Sequence, residues 1–224
     1  MASEPGVDIE MKLFGHPVSS YCQKALIAFY ENHVPFDLRL LADAESFGEL
    51  EAVWPLKKMP ALVDGETTIV EASIIIEYLG VRYPGPVALV PSSPEAALPV
   101  RTLDRFFDNY VMTPMQKIVG DSLRPADSRD PHGVSEARKQ LETSYRWLEG
   151  TLQNREWAAG AFSLADCAAA PSLFYADWVH PIDAALAKVR KYRQRLLARP
   201  SFARAVDEAR PYRPLFPLGA PDRD

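Results

Sequence analysis

The stretch IEMKLFGHPVSSYCQKALIAFYENHVPFDLRLL, residues 9–41, decides the fold. Its first six residues, Ile9 to Phe14, predict a short strand that ends at Gly-His-Pro. From Cys22 onward, apolar residues recur at the i, i+3, i+4, i+7 and i+8 positions of an amphipathic helix. Residues 35–41 then alternate and predict a second strand. A strand–helix–strand order implies a right-handed crossover that joins two parallel strands of one sheet.

The next segment extends this sheet. A weak helical pattern over residues 44–54 is followed by PALVDGETTIVEA, residues 60–72, in which Asp-Gly predicts a β-hairpin turn. ASIIIEYLGVRY, residues 72–83, predicts a helix that ends before Pro-Gly. We therefore expect a small α/β domain over residues 1–83.

Prolines mark a change of composition after this domain. Residues 84–99, PGPVALVPSSPEAALP, contain five prolines and predict a linker rather than a helix or strand. No strand pattern follows, and helices are predicted over about residues 96–119, 134–151, 164–179, 184–197 and 202–209. The expected organisation is an α/β domain over 1–83, a linker over 84–94 and an all-helical domain over 95–224 that ends in a proline-rich surface tail.

Composition favours a globular protein of a reducing compartment. Hydrophobic residues make up 47% of the 224 residues and charged residues 25%. No run of eighteen apolar residues predicts a membrane span, and the first residues lack the basic and apolar regions of a secretory signal. Cys22 and Cys167 are the two cysteines, so no disulfide framework is predicted. We expect a cytoplasmic protein without a membrane partner.

Charge argues against nucleic acid as a partner. The net charge is −5, divided into −7 over residues 1–83 and +2 over the remainder. Neither part has a basic face that would follow a phosphate backbone. The four histidines also lack metal-ligand spacing, so no metal is expected; they are His16, His33, His132 and His180.

The start of the first helix carries the first candidate site. Ser20 followed by Gln23 is a capping-box pattern, which predicts Ser20 as the helix cap. Cys22 lies on the apolar stripe and is expected to pack inward as a small hydrophobe. Ser19 precedes the predicted cap at the positive end of the helix dipole, where a bound thiolate is favoured and a hydroxyl can donate to it.

Two further elements carry chemistry. In KKMPALVDG, residues 57–65, a cis Met59–Pro60 bond would expose the Met59 backbone to a bound peptide, although base rates favour trans. In VEASIIIEYL, residues 70–79, Glu71 lies at a strand-to-helix turn. Two roles are open for its carboxylate. Either the dipole of the following helix stabilises the negative charge, or the carboxylate binds a ligand ammonium while the next two backbone N–H groups bind the ligand carboxylate.

These segments, together with FSLADCAAAP at residues 162–171, resemble the glutathione S-transferase family. The last segment resembles the family's helix N-capping motif, with Ser163 as the cap and Asp166 three residues later. The resemblance covers the chain from about Met11 to Ala209 and is to bacterial members, with theta-like and zeta-like features. The sequence departs from the family's Glu-Ser motif because Ala72 replaces the serine. It implies a thioredoxin-like N-terminal domain, a helical C-terminal domain and a two-fold homodimer. It also implies that Met59–Pro60 is cis.

The resemblance implies roles for individual residues, with glutathione as co-substrate. The hydroxyl that activates the thiol is Ser19, with Ser20 as the alternative. The glutathione-binding residues are Lys58, Met59, Pro60, Glu71, Ala72 and Ser73, with Lys58 near the glycyl carboxylate. Asp43 and Glu45 follow the second strand, where they have the wrong charge to hold that carboxylate.

The second substrate is expected to be a small hydrophobic electrophile. The helical segment LDRFFDNYVMTPMQKIV, residues 103–119, offers Tyr110, Met112 and Met115 as an apolar wall, whereas the spacing of Phe106 favours the core. Tyr175 and Trp178 are secondary candidates. Core packing explains such residues equally well.

The leading function is therefore conjugation of the glutathione thiolate to such electrophiles. A glutathione-dependent isomerase of zeta type is the first alternative, but its SSC motif is displaced here to SSYC, residues 19–22. A disulfide reductase acting through Cys22 would lack the first cysteine of a C-x-x-C motif. A non-catalytic glutathione transferase-like binding or regulatory protein is favoured slightly by Ala72.

Overall fold

The computed structural model describes residues 11–153 and 155–224. Four strands form one sheet in the order β2-β1-β3-β4. β1 and β2 are parallel, whereas β3 is antiparallel to both β1 and β4. The predicted crossover and hairpin are therefore confirmed, and Ile9 and Glu10 of the predicted first strand lie outside the described residues. The strands are β1 Met11–Gly15, β2 Asp37–Leu40, β3 Ala61–Asp64 and β4 Thr67–Val70.

Helices cover the sheet and build the C-terminal part, which confirms the α/β plus all-α fold class. None of the helices in the described ranges is both long and apolar enough to cross a membrane. The helices are α1 Ser20–Glu31, α2 Ala44–Val53, α3 Ala72–Arg82, α4 Pro94–Phe106, α5 Thr113–Ser122, α6 Pro131–Leu152, α7 Leu164–Val179, α8 Ala187–Leu197 and α9 Pro200–Ala209. A π-helical segment, Phe107–Met112, joins α4 to α5, and short 3₁₀ turns occur at Ala126–Ser128 and Arg210–Leu215.

Helix α4 begins inside the proline-rich segment that predicts a linker. The Ser93 hydroxyl accepts a hydrogen bond from the Ala96 backbone N–H at 3.4 Å, which caps the helix. Pro94 occupies the first helical turn, where a missing N–H costs nothing. Proline at a helix start is therefore compatible with the helix, and α4 begins two residues before the predicted start at about Ala96.

The two parts of the chain share one hydrophobic core. Helix α7 is buried along almost its whole length and packs against α1. The Leu164 backbone N–H donates to the Leu89 carbonyl at 2.8 Å, which ties the start of α7 to the connecting segment. The buried Asp166 completes a capping box with Ser163, as the sequence predicts. This shared core fixes the position of the helical part relative to the sheet.

The start of α1 packs tightly over the end of β1. A Cβ atom built on Gly15 would lie 2.9 Å from the Cys22 Sγ, so only glycine allows this approach. The first turn of α1 is consequently held directly beyond the end of β1. This contact places residues 16–20 at the end of the sheet where β1 ends.

Candidate functional site

A cleft of about 1020 Å³ lies at the end of the sheet where β1 and β4 end and β3 begins. Strand register explains its position. Phe14 near the end of β1 pairs with Ala61 at the start of β3, and Ala61 pairs with Val70 at the end of β4. The segments after β1, before β3 and after β4 therefore meet at this end of the sheet. They contribute Ser19, Lys58, Met59, Pro60, Glu71, Ala72 and Ser73 to its wall.

Ser19, and not Ser20, caps α1. The Ser19 side chain accepts a hydrogen bond from the Cys22 backbone N–H at 3.4 Å. Its own backbone N–H donates to the His16 carbonyl at 2.9 Å, a turn that starts the helix at Ser20. Ser20 is buried inside the first turn and does not line the cleft. The capping-box prediction is wrong because Gln23 uses its amide to donate to the Pro17 carbonyl at 2.8 Å.

The Ser19 hydroxyl can cap the helix and act in the cleft at once. A hydroxyl has two acceptor lone pairs and one hydrogen to donate. The cap bond uses an acceptor, which leaves the hydrogen for a group in the cleft. Because the α1 N-terminus also favours negative charge, this corner is suited to a thiolate.

Cys22 is unsuited to nucleophilic chemistry. Its side chain is fully buried against Gly15. Burial raises the pKa of the Cys22 thiol to about 11, even though Ser19 acts in the opposite direction. The neutral thiol therefore dominates at physiological pH, and a thiol is a poor nucleophile.

The segment before β3 brings two lysines, Lys57 and Lys58, to the cleft. The Met59–Pro60 peptide bond is cis, as the sequence predicts. Lys57 is paired with Glu51 at 2.9 Å, whereas Lys58 is exposed and forms no ion pair with the residues that the structure describes. Lys58 is therefore the cationic side chain that this segment offers to an anionic ligand.

Glu71 has an unusual backbone conformation. It is the N-cap residue of α3 with φ of 70° and ψ of 119°, a region that costs a non-glycine residue free energy. Its carboxylate is exposed and makes no capping bond to its own helix. Of the two roles weighed for this carboxylate, the interaction with its own helix therefore involves no hydrogen bond. The carboxylate and the first N–H groups of α3 are left facing the cleft, beside Ala72 and Ser73.

A buried ion cluster lies behind this wall and was not predicted. The Lys24 ammonium is within 2.5 Å of an Asp104 oxygen and 2.7 Å of an Asp108 oxygen. It also donates to the Ser73 hydroxyl at 2.9 Å, and that hydroxyl donates to Asp104 at 2.9 Å. The Arg105 guanidinium contacts both aspartates at 2.7 Å. The Ser73 hydroxyl is thus engaged by the cluster, whereas its backbone N–H, in the first turn of α3, is left for a ligand.

The helical wall of the cleft is polar rather than apolar. Arg105, Asp108, Asn109 and Gln116 line it. The structure does not bring the predicted second-substrate residues to the cleft. Met112 and Met115 are buried in the core, and Tyr110 is exposed beside Phe106.

The π-helical segment accounts for this difference. A π turn contains an extra residue, so it rotates the residues that follow by roughly 100° relative to a continuous α-helix. Met112, which would share a helical face with Arg105, is thereby turned into the core. Nothing in the helical spacing of residues 103–119 signals the π segment, so the wall was missed.

Residues from two further places complete the cleft. Tyr212 and Leu215, in the 3₁₀ turn after α9, reach it from the C-terminal segment. Tyr212 packs edge-on against His16, with ring centroids 4.7 Å apart, and burial lowers the His16 pKa. Tyr175 is buried and Trp178 half-buried in the core, in a small separate pocket.

Comparison with known proteins identifies the fold family. Residues 13–87 match the glutathione S-transferase N-terminal domain and residues 131–195 match the C-terminal domain. The chain is 30% identical to glutathione S-transferase F10 of Arabidopsis thaliana, over 79% of this chain and 85% of that protein. It is 26% identical to a stringent starvation protein A homologue of Histophilus somni, over 90% and 92% of the two chains.

A solved structure agrees with these sequence matches. A glutathione S-transferase of Methylobacillus flagellatus KT, crystallised with glutathione bound, superposes with a TM-score of 0.80. The two proteins are 25% identical, and the match covers 87% of this chain and 98% of the other. By sequence and by structure, the chain belongs to the glutathione S-transferase family.

Proposed function

We propose that this protein is a glutathione transferase that conjugates the glutathione thiolate to small electrophiles. The observation that carries the proposal is the composition of one cleft. It presents the Ser19 hydroxyl at a helix N-terminus, the Lys58 cation, and the Glu71 carboxylate at a second helix N-terminus. Each of these groups complements one charged or ionisable group of glutathione.

Charge complementarity gives an orientation for the tripeptide. Glu71 binds the γ-glutamyl ammonium, and the backbone N–H groups of Ala72 and Ser73 bind the neighbouring carboxylate. The Met59 backbone binds the cysteinyl residue, Pro60 supports that segment, and Lys58 binds the glycyl carboxylate. The neighbour from Methylobacillus flagellatus, which was crystallised with glutathione, supports this use of the cleft.

Ser19 then acts on the thiol. A free thiol has a pKa near ~8.5, so only a small fraction is thiolate at neutral pH. The Ser19 hydroxyl donates to the thiolate and the α1 dipole favours its charge, so the bound thiol loses its proton to water at a lower pH. The sulfur lone pair forms a bond to the electrophilic carbon, and a halide leaving group departs with its bonding pair.

A second candidate is glutathione binding without catalysis. Ala72 lacks the hydroxyl that the family motif uses, and the Ser73 hydroxyl is occupied by Lys24 and Asp104. One relative over almost the whole chain is named a stringent starvation protein A homologue rather than a transferase. These observations keep a regulatory binding protein as the alternative.

Two measurements separate these candidates. Isothermal titration with glutathione tests binding, and formation of the conjugate with 1-chloro-2,4-dinitrobenzene tests turnover. We expect both to be positive. Binding without turnover would favour the regulatory protein, and the absence of both would refute the glutathione site.

We also propose a cytoplasmic homodimer whose α/β part binds glutathione and whose helical part, from residue 95, contacts the second substrate. An exposed stripe supports the dimer. Ile74 and Val81 lie two turns apart on α3, and Leu98 lies on α4, with exposed fractions of 52%, 80% and 63%. An ion pair between Glu77 and Arg101 joins the two helices on this face.

A further inference from the structure

Arg105 projects a fixed guanidinium into the cleft. It lies one residue before the end of α4, and its side chain is 50% exposed. Its Nε donates to Asp104 at 3.0 Å, and its Nη2 contacts Asp104 and Asp108 at 2.7 Å and also donates to Ser73. These bonds anchor one edge of the guanidinium against the buried ion cluster.

The other edge of the guanidinium is available to a ligand. Arginine has five N–H donors in a rigid fork, and two of them belong to Nη1. Nη1 makes no hydrogen bond with any residue in the described ranges, although Arg105 lines the cleft. A positively charged, pre-oriented donor pair is therefore open to a ligand in the cleft.

Arg105 and the thiol-activating corner share this space. Tyr21 follows Ser19 by two residues on α1 and lines the same cleft. Burial raises the pKa of Tyr21 to about 12, and the nearby Arg105 guanidinium acts in the opposite direction. The guanidinium and Lys24 of α1 also share the Asp108 carboxylate, and Ser19 lines the same cleft as Arg105.

We propose that Arg105 Nη1 donates to the oxygen on which negative charge develops in the second substrate. The inference rests on the proposed transferase function and narrows its substrates to electrophiles activated by a conjugated carbonyl or nitro oxygen. Hydrogen bonds to a developing oxyanion stabilise the transition state more than the ground state. The expected small hydrophobic electrophiles are thereby narrowed to those that carry a conjugated carbonyl or nitro oxygen.

The addition to an enone shows the step. The thiolate lone pair forms a carbon–sulfur bond at the β-carbon, and the π electrons move to leave an enolate oxygen. Arg105 stabilises this oxyanion, and the enolate then takes a proton from water to give the saturated ketone. In substitution at benzyl chloride, the charge leaves with chloride, so no substrate oxygen is available to Arg105.

The test compares these two reactions in single variants of the full chain. We would measure kcat/KM with trans-4-phenyl-3-buten-2-one and with benzyl chloride, each corrected for the uncatalysed reaction. A third substrate, 1-chloro-2,4-dinitrobenzene, is activated by nitro groups. It tests whether Arg105 acts on a nitro oxygen as well as on a carbonyl oxygen. The variants are Arg105→Met, Arg105→Lys and, as a matched control, Arg146→Met on the exposed surface of α6.

We expect Arg105→Met to lower the enone-to-benzyl chloride preference by roughly 10- to 100-fold, the range for one charged hydrogen bond. Arg105→Lys should recover part of the preference, and Arg146→Met should change nothing. Equal losses with both substrates, or a raised KM for glutathione alone, would overturn the proposal by showing that Arg105 supports the wall or binds glutathione. An enone-to-benzyl chloride preference that Arg105→Met leaves unchanged would also overturn the proposal.

Glutathione titration keeps this inference distinct from the proposed function. Wild-type protein that neither binds glutathione nor conjugates any substrate contradicts the transferase proposal itself. Wild-type protein that conjugates both substrates but shows no dependence on Arg105 contradicts only the assignment of Arg105.

Discussion

The hydroxyl and thiol side chains of residues 19–22, at the start of α1, lie in different surroundings. Ser19 faces the cleft and caps the helix, Ser20 is buried in the first turn, and Cys22 is sealed against Gly15. Of these three side chains, that of Ser19 lines the cleft, and this is why we propose Ser19 as the residue that activates the thiol. Two predictions at the residue scale follow from this division.

Replacement of Ser19 by alanine should affect both roles. We expect turnover to fall by roughly 10- to 10³-fold, as for the loss of one positioned donor. The pH at which bound glutathione ionises should rise, measured by thiolate ultraviolet absorbance. Loss of the cap should cost about 1 kcal/mol of unfolding free energy. Ser19→Thr, which keeps a hydroxyl, is the control, and full activity in Ser19→Ala with none in Ser20→Ala would reverse the assignment.

Cys22 should influence alkaline stability without affecting catalysis. Its pKa is near 9 when exposed and is raised to about 11 in the folded protein. Unfolding then releases a proton as pH rises above 9, so the folded state loses stability between about pH 9 and pH 11. Urea unfolding of Cys22→Ala should show a shallower decline over this window. Loss of most conjugating activity in the folded variant would instead support a redox role for Cys22.

Four structural elements meet at the buried ion cluster. Lys24 belongs to α1, Ser73 to α3, and Asp104 to α4, while Asp108 lies in the π segment. Burial raises the Asp108 pKa, and Lys24 opposes that shift. The cluster ties the helical part of the chain to the first turn of α3, so its integrity bears on the wall of the cleft.

Removal of the Lys24 charge should destabilise this junction strongly. Lys24→Met keeps the volume of the side chain but leaves two buried aspartates with less compensation. We expect a loss of about 3–5 kcal/mol in the free energy of unfolding, measured with urea. Lys57→Met, which breaks the exposed pair with Glu51, should cost less than about 1 kcal/mol. Similar small costs in both variants would show that the buried cluster contributes little.

At the scale of the whole molecule, α3 and α4 present an exposed apolar stripe that we propose a second copy covers. The stripe consists of Ile74 and Val81 on α3 with Leu98 on α4. Closed two-fold dimers are the commonest assembly and bury self-complementary surfaces of this kind. The stripe lies on the α3–α4 face that the Glu77–Arg101 pair marks.

A charge in this stripe should separate the subunits. Wild-type protein at micromolar concentration should scatter light as twice the 25.0 kDa chain, and Leu98→Glu should shift the mass toward that of one chain. Leu123→Glu, at an equally exposed leucine near the end of α5, should leave the dimer intact. A wild-type mass near 25.0 kDa would refute the dimer.

Local sequence patterns were sufficient for most of the fold. The Asp-Gly turn defined the hairpin, the stripe from Cys22 defined α1, and the capping box at Ser163 defined the start of α7. These features depend on neighbours within a few residues, so the chain itself carries them. The family motifs likewise predicted the cis Met59–Pro60 bond.

Tertiary structure decided how the site is built. Ser19 rather than Ser20 caps α1, because Gln23 is drawn to Pro17 and Tyr175 instead of the helix start. Lys24 is buried only because two aspartates from a distant helical segment reach it. The π segment turns Met112 inward and leaves Arg105 in the cleft. These choices depend on contacts between residues that are far apart in the chain, and local periodicity carries no information about such contacts.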